Sequence, residues 1–302
     1  VMTRSYDFMR NGSPSTRRDL LKGASAAAAA ASLAVGSNAL AADAGTARRS
    51  AREGRLKQSV CRWCYGKIPL DELCSAGKGM GLVGIDLLTA ADFETVKKHG
   101  LICTMTGSHP LSDGLCEPKF HDMALKKINE AIEATSREGW RNVICFSGNR
   151  RGIDDKVGMD NCVKALKQIV PVAEKAKVIL NMELLNSKVD HHDYMCDNSR
   201  WGVELVKRVG SDNFKLLYDV YHMQIMEGDV IRTIEKDHAA FGHYHTGGNP
   251  GRHELDDTQE LNYKAIANAI AGVGFEGYYA HEFIPVRDPL TSLAEAVELC
   301  IV

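Results

Sequence analysis

The chain has 302 residues, 44% hydrophobic and 25% charged, the composition of a soluble globular protein long enough to bury one large core. Lys and Arg number 37 against 39 Asp and Glu, a formal net charge of -2, so there is no basic surplus to neutralise a phosphate backbone and a nucleic-acid partner is disfavoured. The 9 cysteines are odd in number and scattered along a chain too large to need staples, which points to buried thiols rather than a disulfide framework.

The first segment reads as a targeting signal. Ser15-Thr16-Arg17-Arg18-Asp19-Leu20-Leu21-Lys22 precedes an Ala-rich stretch from Gly23 to Val35 and then Ala39-Leu40-Ala41. This is the pattern of a twin-arginine export signal with an A-x-A cleavage site, and it implies periplasmic or otherwise exported protein. The apolar stretch is short and Ala-based, whereas a spanning helix needs about 20 strongly apolar residues, so no stable membrane span is expected. Cleavage after Ala41 would remove Arg4, Arg10, Arg17, Arg18 and Lys22 with only Asp7 and Asp19, leaving a more acidic mature chain. Residues 42–57, charged and rich in small side chains, read as a linker.

From residue 58 to 302 short apolar runs alternate with longer amphipathic ones, the rhythm of a parallel sheet covered by helices. Strands are expected near Ser59–Trp63, Gly81–Leu87, Leu101–Met105, Asn142–Phe146, Val178–Leu184, Lys215–Asp219, Ala240–His245 and Gly277–Glu282. Helices are expected at Leu70–Gly79, Ala90–His99, Lys119–Glu138, Asp160–Lys175, Tyr194–Val209, Asp229–His238, Glu260–Ala271 and Leu290–Cys300. Eight of each make the tally of a single α/β domain, a (β/α)8 TIM barrel. A doubly wound open sheet would want a Gly-rich phosphate loop after its first strand, and none stands there. Cys61-Arg62-Trp63-Cys64 has redox spacing, but it falls in a strand-like segment rather than at the start of a helix that would stabilise a thiolate.

A barrel carries its chemistry at the C-terminal ends of its strands. Three strands end in carboxylates, Glu183, Asp219 and Glu282, and the seventh, Phe241-Gly242-His243-Tyr244-His245, ends in imidazole. A single acidic residue at a strand end is commonly a loop salt bridge, but four ligand-type groups on successive strands form a ring. Three carboxylates and one imidazole suit one moderately hard divalent metal ion, Mn²⁺, Mg²⁺, Co²⁺ or Zn²⁺, with positions left open for substrate. His243 and His245 share a strand face, so one can ligate while the other supports it or faces substrate. Beside the ring stand His222 and Arg252, whose fork of donors suits a substrate carboxylate or hydroxyls. His109 either borders the pocket after the third strand or ends a turn at His109-Pro110.

These residues sit in motifs that together resemble the hydroxypyruvate isomerase and sugar-epimerase branch of the xylose-isomerase-like TIM barrel superfamily. The motifs are Gln58-Ser59-Val60-Cys61-Arg62-Trp63-Cys64, Gly84-Ile85-Asp86-Leu87-Leu88, Glu183-Leu184-Leu185-Asn186, Asp219-Val220-Tyr221-His222-Met223-Gln224, Pro250-Gly251-Arg252-His253-Glu254 and His281-Glu282-Phe283. The resemblance implies that Glu183, Asp219, His245 and Glu282 bind the metal and that Glu183 and Glu282 also move protons. It further implies that hydroxypyruvate isomerases tend to carry Gln where His245 stands and ketose 3-epimerases His, so the substrate, a small carbohydrate or keto acid, stays open.

The expected chemistry is proton transfer next to a carbonyl through an enediolate. Return of the proton to the neighbouring carbon isomerises; return to the same carbon from the other face epimerises. An endonuclease of the same superfamily would want more histidines and a basic groove. An exported lyase or glycoside-cleaving enzyme acting on oxidised sugars, and a silent sugar-binding protein, are the remaining alternatives. Oligomeric state is open, with a homo-oligomer among the options.

Overall fold

A computed structural model of the protein describes residues 54–302; the expected signal and most of the expected linker lie outside the described residues. Eight strands, β1 (Lys57–Cys61), β2 (Gly84–Leu88), β3 (Ile102–Thr106), β4 (Asn142–Cys145), β5 (Ile179–Glu183), β6 (Phe214–Asp219), β7 (Phe241–Thr246) and β8 (Tyr278–His281), pair in parallel and in chain order. β8 pairs back with β1, Val60 opposite His281, and closes the barrel. Gln58 secures this seam: its Oε1 lies 2.8 Å from His281 Nε2 and its amide donates to Val297 O.

The sequence forms these elements for ordinary reasons. Strands covered on both faces are near-continuous apolar runs, and all four residues of Asn142-Val143-Ile144-Cys145 are buried. The main helices are α1 (Leu70–Met80), α2 (Phe93–Lys98), α3 (His121–Arg137), α4 (Asp155–Ala176), α5 (Ser199–Val209), α6 (Val220–Met226), α7 (Val230–Asp237), α8 (Tyr263–Gly272) and α9 (Pro289–Leu299). α4 shows the pattern clearly, with Met159, Cys162, Leu166, Ile169 and Val170 along its buried stripe. Asp154, Asn198, Asn262 and Asp288 cap α4, α5, α8 and α9 through side-chain acceptors, each cap contributing about 1 kcal/mol. Inside the barrel Met105, Ile144 and Leu217 form a small apolar plug, and Asn142 Nδ2 donates to Thr104 O beside it. Among the described residues, no helix is long and apolar enough to cross a membrane.

All eight expected strands and eight expected helices are present, within a few residues at their ends. Three local expectations change. Leu56 is already buried in the core and β1 begins at Lys57, so the linker gives out before residue 57. β1 stops at Cys61, and Arg62–Tyr65 winds into a 3-10 turn, which lifts Trp63 out of the strand and over the barrel mouth. An additional helix, α6, follows β6 directly, because Asp219 turns its own carboxylate onto the helix: Oδ1 accepts from His222 N at 3.1 Å. Each of the nine cysteines is a free thiol, and all but the half-buried Cys64 are buried.

The loops after β3 and β4 cross at Gly114 and Gly148. A Cβ at Gly114 would meet Gly148 N and come within 2.5 Å of Phe146 O, both backbone atoms that cannot swing aside. Gly114→Ala is therefore expected to destabilise the fold by about 2 kcal/mol or more, read as a lower thermal midpoint with metal and substrate absent.

Candidate active site

The strand register converges on one end of the barrel. Glu183 and Asp219 are the last residues of β5 and β6; His245, opposite Asp219 in the β6–β7 register, is the penultimate residue of β7. Glu282 follows β8, its N–H donating to Thr246 O. One ligand-type atom from each of these four residues lies within 4.8 Å of the others, and all four are buried. From His245 Nδ1 it is 3.3 Å to Glu183 Oε1, 3.9 Å to Asp219 Oδ2 and 2.5 Å to Glu282 Oε2.

Glu183 Oε1, His245 Nδ1 and Glu282 Oε2 are buried yet make no well-directed hydrogen bond, although Glu282 Oε2 is ion-paired with the Arg252 guanidinium. Buried polar atoms are rarely left so, because each forfeits its hydration. Here three of them, all lone-pair donors, point at one another. A divalent cation among them satisfies every one, and the donor set, three carboxylates and an imidazole, fits a moderately hard ion.

Arg252 is the one guanidinium in this cluster. Its Nη2 lies 3.0 Å from Asp219 Oδ2 and 2.7 Å from Glu282 Oε2, its Nε donates to Glu282 O, and it sits between the Trp63 and Tyr221 rings, 5.4 and 5.1 Å from their centroids. Its Nη1 is 2.9 Å from His222 Nε2, while Asn186 Nδ2 stands 2.6 Å from His222 Nδ1. A neutral imidazole accepts at only one nitrogen, so one of those donors is surplus.

These charges divide the carboxyls. Burial pushes Glu183 up, and burial raises Asp219 to about 7 against the pull of Arg252. Burial also opposes ionisation of Glu282, but Arg252 and His245 outweigh it and hold that carboxyl well below its usual range. Burial and the neighbouring Arg252 depress His222.

Of the eight residues singled out from sequence, Glu183, Asp219, His222, His245, Arg252 and Glu282 come together, and His243 stands behind His245 with its Nε2 3.2 Å from Asp86 Oδ2. His109 does not join them: Nδ1 pairs with Pro110 O at 3.1 Å and Nε2 accepts from Phe146 N at 3.2 Å, so both nitrogens serve the backbone. Two residues quoted only within motifs take part. Trp63 Nε1 donates to Glu282 Oε1 at 2.5 Å, and Asp86 Oδ2 lies 2.8 Å from His245 Nε2. Trp63 gave no separate signal, but Asp86 was findable: a carboxylate in the middle of an apolar strand has to be partnered.

The pattern of the family described as xylose isomerase-like TIM barrel matches residues 94–300, more than half of the chain. The protein belongs to this family. Among curated relatives of this xylose isomerase-like barrel, 2-oxo-tetronate isomerase of Cupriavidus necator is 35% identical over 108 residues, covering 36% of this chain and 41% of the relative. Hydroxypyruvate isomerase of Escherichia coli is 26% identical over 171 residues, 56% of this chain and 66% of the relative. D-psicose 3-epimerase of Ruminiclostridium cellulolyticum is 30% identical over 125 residues, 41% of each chain. The chain thus spans about half the length of the curated relatives it matches.

His109 supplies a pH test. Burial draws its pKa from 6.5 down to about 4, so the unfolded chain takes up that proton first. The stability it supports is complete above about pH 6.5 and is lost as pH falls towards 4, by up to about 3 kcal/mol. Denaturant titrations across this range are expected to show a shallower pH slope for His109→Gln than for the wild type.

Proposed function

We propose that this protein is a divalent-metal-dependent isomerase or epimerase that moves a proton next to the carbonyl of a small keto acid, ketose or keto-sugar. The observation that carries this reading is the convergence of three buried atoms, on Glu183, His245 and Glu282, that make no well-directed hydrogen bond. Relatives named as isomerases and an epimerase agree with it. Glu183, Asp219, His245 and Glu282 would hold the ion, which when bound supplies electrophilic stabilisation of negative charge developing on the substrate's oxygens.

The chain's own groups do the rest. Glu183 and Glu282 enter from β5 and β8, separated by β6 and β7 around the barrel, and can take a proton from carbon and return it. Trp63 keeps Glu282 Oε1 engaged, so Oε2 is the oxygen presented to the centre. Arg252 Nη1 and His222 are placed to orient a substrate oxygen, and the burial of all these groups excludes competing water.

Isomerisation is the principal reading. The imidazole at 245 favours a ketose 3-epimerase as the second, on the resemblance of that position to epimerases. We also propose export through the twin-arginine route, on Arg17-Arg18 and Ala39-Leu40-Ala41. Arg17→Lys with Arg18→Lys is then expected to leave unprocessed precursor inside the cell, detected by fractionation and immunoblot.

Proton NMR in D₂O of metal-loaded protein with hydroxypyruvate, ketoses and 3-keto-sugars tests the chemistry. Deuterium should enter the carbon beside the carbonyl, and Glu183→Gln or Glu282→Gln should slow that exchange by about 10²-fold or more. No exchange with any compound, at confirmed metal occupancy, would remove the isomerase and epimerase readings together. Chelation is expected to lower the thermal midpoint: an ion at 100 times its Kd contributes about 2.7 kcal/mol.

A further inference from the structure

We propose that Asp86 is a positioning residue, which fixes the ring and tautomer of His245 so that Nδ1 presents its lone pair to the carboxylate ring. The inference rests on the metal reading above.

Asp86 stands in β2, opposite Cys61 of β1 in the strand register, and is wholly buried. The Thr104 hydroxyl donates to Oδ1 at 2.5 Å, which pins the carboxylate plane. The other oxygen, Oδ2, is then turned inward, 2.8 Å from His245 Nε2 and 3.2 Å from His243 Nε2. A carboxylate only accepts, so Nε2 carries a proton towards Asp86, and with an ion in the ring it is Nδ1 that gives up its proton and presents the lone pair. Nδ1 is the atom that faces Glu183, Asp219 and Glu282. With the opposite tautomer an N–H would point at the centre and occupy the ion's place. A hydrogen-bonded carboxylate behind an imidazole also makes its free nitrogen a better ligand.

Cys61 Sγ lies 3.7 Å from both Asp86 Oδ2 and His245 Nε2. The Cys61 thiol donates to Asp86 Oδ2. His243 shares the same acceptor oxygen at the longer distance, and neither of its ring nitrogens makes a well-directed hydrogen bond. It is therefore the weaker candidate for the same role.

The test is calorimetric titration of Mn²⁺ into the full chain as wild type, Asp86→Asn, Thr104→Val, Cys61→Ser and Glu183→Gln. It is paired with ¹⁵N-histidine spectra of the Zn²⁺-loaded protein, in which His245 is assigned by its loss in His245→Gln. We expect one Mn²⁺ per wild-type chain and a 10- to 100-fold weaker Kd in Asp86→Asn, with the protected His245 Nε2–H resonance shifted or lost. Thr104→Val, nearly isosteric, should give a smaller loss in the same direction, and it carries the test if Asp86→Asn does not fold. Affinities within twofold of wild type in both variants, with an unchanged His245 resonance, would overturn the positioning role and leave the metal reading intact. A second Mn²⁺ equivalent that disappears in Cys61→Ser would also overturn it, making Asp86 a ligand in its own right. Failure of the wild type to bind, indistinguishable from Glu183→Gln, would bring down the metal reading and this inference with it.

Discussion

Like charge held out of water is the constraint to which the rest of this barrel answers. Glu183, Asp219 and Glu282 bring carboxylates within 4.8 Å of one another, with Asp86 behind His245, and one guanidinium set among them. Two carboxylates about 4 Å apart at an effective dielectric of 20 repel by about 4 kcal/mol, so such a ring persists only where a rigid frame holds it and cations offset it. Arg252 supplies part of that offset. Glu183 Oε1 and His245 Nδ1, which make no well-directed hydrogen bond, mark the part it leaves, and with Glu282 Oε2 beside them they are the strongest physical argument for an ion.

The frame is built to keep this strain at one end. Its apolar mass lies between strands and helices, from Leu166 and Ile169 on α4 to Leu205 on α5, and the interior is plugged by Met105, Ile144 and Leu217. Stability is therefore supplied away from the mouth, while the strand ends are left to polar residues, the division of labour expected of this architecture. The mouth residues hold one another by hydrogen bonds that serve two purposes. Asp219 caps α6 with one oxygen and offers the other to the centre. Glu282 takes the Trp63 N–H on one oxygen and turns the other inward.

On the function proposed above, this doubling bears on catalysis. A proton carrier that also ligates an ion has to keep its geometry while its charge changes. Trp63 and Arg252 hold Glu282 and keep its carboxyl low, whereas burial raises that of Glu183. The two glutamates are thus not equivalent, although their places at the ends of β5 and β8 look alike in sequence.

Much of this was legible in the chain. The alternation of apolar runs and amphipathic stretches fixes eight strands and eight helices, because periods of 2 and 3.6 reflect which side chains are buried. Polar residues ending apolar strands, Glu183, Asp219, His245 and Glu282, named the ring because barrel strands deliver their last residues to one face. Other features depend on contacts between residues far apart in sequence, which no local pattern encodes. Asp86 and His245 are 159 positions apart, and Trp63 and Glu282 219; barrel closure, pairing β8 with β1, brings the second pair together. His109 shows the converse: its sequence context allowed a place in the pocket, and only packing against Pro110 and Phe146 decided that both ring nitrogens serve the backbone. The sequence by itself determined the architecture and the identity of the ring. Tertiary structure decided which atoms face inward, because side-chain direction follows from strand register and from hydrogen bonds formed only once the barrel has closed.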